Sequence, residues 1–72
     1  MKIFECPCFD GRKSFYGKAL IIERGDGIIQ LQSYNTIVAE IVNGVFRKVW
    51  DGSTQTTNRH IKSFKKFYNL EV

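Results

Sequence analysis

The spacing of apolar residues changes once along the chain. Up to about Trp50 they come in short runs separated by glycine- and asparagine-bearing turns, and beyond Ser53 they recur every three to four positions. The first pattern predicts strands and the second a helix. A short strand is expected at Lys2-Ile3-Phe4-Glu5, ended by Cys6-Pro7-Cys8 and the turn-prone Asp10-Gly11. Residues 14–24 read as a longer strand, whose centre Ala19-Leu20-Ile21-Ile22 suits burial on both faces over part of its length. Arg24-Gly25-Asp26-Gly27 supplies the positive φ angles of a tight hairpin, so residues 20–24 are expected to pair with residues 28–34. The Arg-Gly-Asp tripeptide inside it is turn chemistry on this reading, because an integrin ligand has no use in a cytosolic protein.

Asn43-Gly44 is the strongest two-residue hairpin signal in the chain, and it joins a strand at residues 36–42 to one at residues 45–50. A type I′ turn there sets Val42 opposite Val45 and Glu40 opposite Arg47, a favourable cross-strand charge pair. The other face would then carry Ile41 with Phe46 and Ile37 with Trp50, and it is expected to face the core. Lys48 opposite Ala39 is a misfit on that face, which a bulge or a lysine stem reaching to solvent would resolve. Asp51-Gly52 breaks the strand. The run Ser53-Thr54-Gln55-Thr56-Thr57 then offers several N-cap hydroxyls before a helix over residues 58–70. On a helical wheel Thr57, His60, Ile61, Phe64, Phe67 and Tyr68 share one face, and Arg59, Lys62, Lys66 and Asn69 the opposite one. The expected fold is α+β: a small antiparallel sheet of four to five strands with one C-terminal amphipathic helix packed on it, a single domain over residues 1–72.

Composition agrees. With 72 residues, 43% hydrophobic and 14% aromatic, there is material for one compact core and too little for two. Charge adds a direction. The net charge of +4 divides unevenly, +1 over residues 1–51 and +3 over residues 52–72, so the positive end is the helix. No apolar run approaches the roughly 18 residues of a membrane span, and the N-terminal residues lack the roughly 7 to 15 apolar positions of a signal-peptide core. A cytoplasmic protein starting at Met1, with no membrane partner, is expected. Cys6 and Cys8, two positions apart around Pro7, would close a strained ring as a disulfide and read better as reduced thiols.

Candidate chemistry is sparse. General acid–base work needs positioned groups, and one histidine with no close pair of carboxylates makes a non-enzyme the expectation, with no catalytic residue assigned. His60, at the edge of the apolar helix face, reads as a packed residue hydrogen-bonded to a strand carbonyl. As a metal site, Cys6 and Cys8 on an extended segment point to one side, and His60 with Asp10 would complete a tetrahedron for zinc. Only one spaced ligand pair is present where a strong zinc signature has two, so zinc is the one cofactor the residues allow and none is otherwise expected. For partner binding, Arg12-Lys13-Ser14-Phe15-Tyr16-Gly17-Lys18 interleaves cations with aromatics as single-strand binders do, and Arg59, Lys62 and Lys66 form a basic helix stripe with Lys65 on its flank. The candidate partner-binding residues are therefore Arg12, Lys13, Arg59, Lys62, Lys65 and Lys66. Solubility and the helix dipole explain the same lysines without any partner.

Two segments, Ser33-Tyr34-Asn35-Thr36-Ile37-Val38-Ala39 and Trp50-Asp51-Gly52 leading to Thr56-Thr57-Asn58-Arg59-His60-Ile61-Lys62-Ser63-Phe64, carry a resemblance over roughly the second half of the chain. They resemble a family of short uncharacterised proteins from Gram-positive bacteria and their phages. The resemblance brings no activity with it. It implies a small accessory protein, phage-encoded, and proteins of that kind often act by occupying a host macromolecule, CRISPR nucleases included. Because this chain is basic, mimicry of DNA is the wrong mechanism for such an inhibitor. The expected order of functions is an inhibitor or modulator of a host defence protein, then a nucleic-acid-binding module using the basic helix face, then a zinc-stabilised domain.

Overall fold

The computed structural model describes residues 1–9, 15 and 17–70. Within them the chain runs β1 (Lys2–Glu5), β2 (Ala19–Gly25), β3 (Ile28–Ser33), β4 (Thr36–Val42), β5 (Val45–Lys48) and α1 (Gln55–Phe67). The strands form one antiparallel meander in the order β1-β2-β3-β4-β5, and α1 packs over β3. This is the α+β architecture the pattern predicts.

Two adjacent cross-strand rows define the faces of the sheet. Phe4, Ile21, Leu31, Ala39 and Lys48 lie opposite one another across all five strands, and Ile21, Leu31 and Ala39 are fully buried under the helix. One residue along, the row Ile3, Ile22, Gln30, Glu40 and Arg47 faces away from it. That row passes from aliphatic to charged, with Ile22 buried toward one end and Arg47 largely exposed at the other. The expected Val42–Val45 and Glu40–Arg47 pairings are present, with Arg47 Nη1 3.6 Å from Glu40 Oε1. Arg47 is largely exposed, so this ion pair fixes register more than it adds stability.

The turns follow local chemistry. Asn43 and Gly44 take φ of 52° and 85°, both positive as a type I′ turn requires. Asp26 and Gly27, at 55° and 79°, do the same between β2 and β3, and Arg24 becomes the extra residue of a bulge. Arg-Gly-Asp thus sits in turn chemistry. The second strand is shorter than expected, starting at Ala19, because Gly17 turns at φ 77° and Lys18 N–H closes onto Phe15 C=O at 3.0 Å. Its expected N-terminal part otherwise lies outside the described residues.

The expected core face holds at Ile41 and Phe46, and a bulge displaces its Ile37 end. Ala39 pairs with Leu31 and Ile37 with Gln32, which leaves Val38 as the extra residue and lets Val38 and Ala39 both be buried. Ile37 is thereby carried out of phase with the expected partner Trp50, and β5 ends at Lys48. Lys48 escapes the core by extending over the Trp50 ring, with Nζ 5.5 Å from its centroid. Trp50 in turn lies against Gly52, where any side chain would collide with the indole.

The helix starts and ends three residues before the expected limits. Thr54, in extended conformation, caps it by accepting a 3.1 Å bond from Thr57 N–H to its hydroxyl. At the other end Asn69 takes φ 59°, with Asn69 N–H on Lys66 C=O and Leu70 N–H on Lys65 C=O. These are the paired bonds of a Schellman stop, with asparagine in the place glycine usually holds. Thr57, His60, Ser63 and Phe64 are buried, Ile61 and Tyr68 are half-buried, and Phe67 is swung to the rim, 38% exposed but edge-on to Phe4 at 5.9 Å. Among the described residues no helix is long and apolar enough to cross a membrane.

Candidate functional site

The polar residues on the inner face of α1 form a sealed network. His60 Nδ1 lies 2.9 Å from Ser33 Oγ on β3, and Ser33 Oγ lies 3.1 Å from Thr57 Oγ1. All three are buried, and the Phe15 ring packs edge-on to the imidazole at 4.4 Å. A serine beside a histidine has the reach of a nucleophile and its base, but a substrate has no path to a pair with 2% and 1% exposure. The geometry joins sheet to helix. His60 is packed as expected, and the partner of its Nδ1 is a strand hydroxyl.

The three residues read as zinc ligands are placed differently from one another. Cys6 is in the core, 1% exposed, with its Sγ 3.6 Å from Pro7 C=O. Burial first, then the neighbouring Cys8 and Glu5, push its thiol from 9.0 up to about 12. Zinc takes the thiolate, so binding there would have to deprotonate a buried thiol that the fold keeps neutral. Cys8 is half-buried, and His60 already uses Nδ1. No group of three or more His, Cys, Asp or Glu side chains comes together among the described residues, and Asp10 lies outside them. The residues described fit a zinc ion poorly.

The same burial has a measurable consequence at high pH. Tyr68 donates a 2.8 Å hydrogen bond to Glu23 Oε2, and burial, then that bond and the carboxylate charge, raise its phenol above the ordinary value of 10.0. Both groups are acids with a folded-state pKa above the unfolded one, so the protonated forms stabilise the fold. That contribution is complete below pH 9.0 and is lost as pH climbs toward about 12 for Cys6. Each pH unit inside the window costs up to about 1.4 kcal/mol at Cys6, and less at the more exposed Tyr68. The melting temperature is expected to fall steadily above about pH 9, and Cys6→Ala should flatten the fall. A wild-type profile that stays level to about pH 11 would contradict this placement of Cys6.

The outer face of α1 carries the charge. Arg59, Lys62 and Lys66 share one stripe at positions i, i+3 and i+7, and the helix contains no acidic residue. With Phe9 and Ser63 they line a pocket of about 110 Å³ that opens to solvent. Phe9 reaches this place by a tether: its N–H donates to Ser63 Oγ at 3.3 Å, and Ser63 is 2% exposed. Lys66 Nζ stands 5.9 Å from the centroid of the Phe9 ring, and the Arg59 guanidinium stands 5.8 Å from that of Phe15.

Of the expected partner-binding residues, the structure brings Arg59, Lys62 and Lys66 together and separates Lys65 from them. Lys65 turns toward β5, with Nζ 4.9 Å from the Phe46 centroid. Arg12 and Lys13 lie outside the described residues. Phe15, one of two neighbouring aromatics of which at most one can be an exposed stacking surface, is packed inward at 5% exposure. Phe9 is the residue that sequence reasoning passed over. An aromatic in the turn-forming stretch between Pro7 and Gly11, belonging to no strand alternation, was the signal available.

Residues 5–72 match the model of a family of unknown function, DUF8033. The chain belongs to that family. The match takes in β1 from its last residue, all later elements, and with them every residue of the Phe9 pocket and of the buried Ser33–His60–Thr57 network. No curated protein and no solved structure matches the chain.

Proposed function

We propose that the protein acts by binding rather than by chemistry, that its working surface is the basic face of α1, and that it meets there a negatively charged host macromolecule. The observation that carries this reading is the convergence of Arg59, Lys62 and Lys66 with Phe9 and Ser63 around one opening. Its volume, about 110 Å³, is well under the roughly 300 to 1,000 Å³ of small-molecule sites. Such an opening suits a large partner that rests on the surface and inserts one group. The resemblance to small proteins of Gram-positive bacteria and their phages supports a phage accessory role in the cytoplasm. The partner would then be a host defence protein with an acidic patch, inhibited or modulated as CRISPR nucleases are by small phage proteins.

The double variant Lys62→Glu/Lys66→Glu tests the surface. Both side chains point to solvent, so the melting temperature should stay within the change expected for roughly ±0.5 kcal/mol. Immobilised wild-type protein is expected to retain a partner from a Gram-positive host lysate that the variant does not retain. Retention that survives nuclease treatment identifies a protein partner, and loss on treatment a nucleic acid. Equal retention by wild type and variant would remove the α1 face from the account.

A further inference from the structure

We propose that the opening beside Phe9 is a nucleotide subsite for single-stranded nucleic acid, in which Arg59, Lys62 and Lys66 take the phosphate backbone and the Phe9 ring stacks a base. It rests on the α1 face argued above and on its negatively charged partner, and it takes that partner to be a nucleic acid in place of an acidic protein. Binders of single strands combine a positively charged track with an aromatic surface, because phosphates supply the charge attraction and every base has a π-face. Both parts are present and adjacent. Phe9 is 45% exposed, at the mouth of a pocket whose charged linings among the described residues are Arg59, Lys62 and Lys66.

The ring is also held in place before any ligand arrives. The bond from Phe9 N–H to the buried Ser63 hydroxyl fixes the backbone that carries it. A platform fixed in advance spares the complex the cost of ordering a loop on binding. Arg59 and Lys66 are seven residues apart on the helix, about 10 Å along its axis, which spaces the cations for about three phosphates of one strand. A pocket of about 110 Å³ takes one such unit and not a folded ligand. A duplex keeps its bases stacked on one another and offers Phe9 no free face, so the single strand is the form this geometry selects.

The test uses the full chain, a labelled oligothymidylate of about 12 nucleotides and a duplex of the same length, with affinities measured by anisotropy at about 50 and about 200 mM salt. Wild type is expected to prefer the single strand and to lose about 20-fold in affinity over that salt range, the response to about three neutralised phosphates. Phe9→Ala should bind the single strand about 10-fold more weakly with an unchanged salt slope, and Phe9→Trp should restore the affinity. Phe9 is exposed and anchored through its backbone, so neither change threatens the fold. Lys66→Glu should weaken binding and flatten the slope by about 0.7. Arg24→Glu, which makes the same charge change at a residue bonded to Gln30 on the sheet face away from α1, should do neither. If Phe9→Ala binds as wild type does, or if wild type shows no preference for the single strand, the subsite is overturned. Should Lys62→Glu/Lys66→Glu still abolish retention of a lysate partner in that case, the α1 face stands and its partner is a protein.

Discussion

Phe64→Ala is expected to cost about 3 to 5 kcal/mol and to lower the melting temperature by about 15 to 30 °C. A chain of 72 residues has about 4 to 11 kcal/mol of stability in total, so this single truncation removes from about a quarter to all of it. The reason is position. Phe64 is fully buried where α1 crosses the sheet, with Tyr68 edge-on at 5.5 Å and Phe46 at 6.5 Å on either side. The three rings bridge helix and β5, and nothing nearby can move inward to fill the vacated volume without breaking those contacts. Phe64→Leu keeps most of the volume and should cost less than about 1.5 kcal/mol. Phe67→Ala is the control, since Phe67 lies at the rim with more than a third of its surface exposed, and it should cost much less than Phe64→Ala. Thermal melts of the three variants decide the matter. If Phe67→Ala is the most destabilising, the helix is rotated relative to its described packing.

Phe64 is also where the sequence was easiest to read. It stands at the centre of the 3.6-residue pattern, and a wheel places it inward whichever residue starts the helix. The boundaries were harder because several hydroxyls compete for the cap. Ser53, Thr54, Thr56 and Thr57 can all serve locally, and it is tertiary packing, which needs Thr57 inside beside Ser33, that selects Thr54. The β4–β5 register was legible because Asn43-Gly44 permits one tight turn, and Glu40 with Arg47 agrees with it. The core face was only half legible. A bulge is one residue of slip at Val38, and simple alternation has no means of announcing it. The site divides in the same way. Helical spacing gathers Arg59, Lys62 and Lys66 with no tertiary information and sets Lys65 on the flank, but it carries no sign of the Phe46 ring to which Lys65 turns. Phe9 depends on a contact 54 residues away in sequence, with Ser63, and no local pattern carries such a pairing.

His60→Leu is expected to destabilise the fold by about 2 to 4 kcal/mol even though leucine fills much of the space. The imidazole is not only volume. It satisfies the Ser33 hydroxyl from one side while Thr57 holds it from the other, and all three sit where water cannot substitute. Removing the ring leaves a buried hydroxyl short of a partner, and an unsatisfied polar group costs about 1 to 3 kcal/mol. If that is the origin of the loss, removing the hydroxyls as well should reverse it. The triple variant His60→Leu/Ser33→Ala/Thr57→Val is then expected to recover most of the stability lost by His60→Leu alone, because the hydroxyls left short of a partner are gone. The Thr54 cap is untouched, since it receives the backbone N–H of Thr57 and not its side chain. A triple variant no more stable than the single one would mean that the imidazole serves some group other than these hydroxyls. The comparison also separates scaffold from surface. His60 lies between Arg59 and Lys62 on one helix, so His60→Leu may be tested for binding only while folded, and there the recovered triple variant should bind like wild type because its basic face is unchanged.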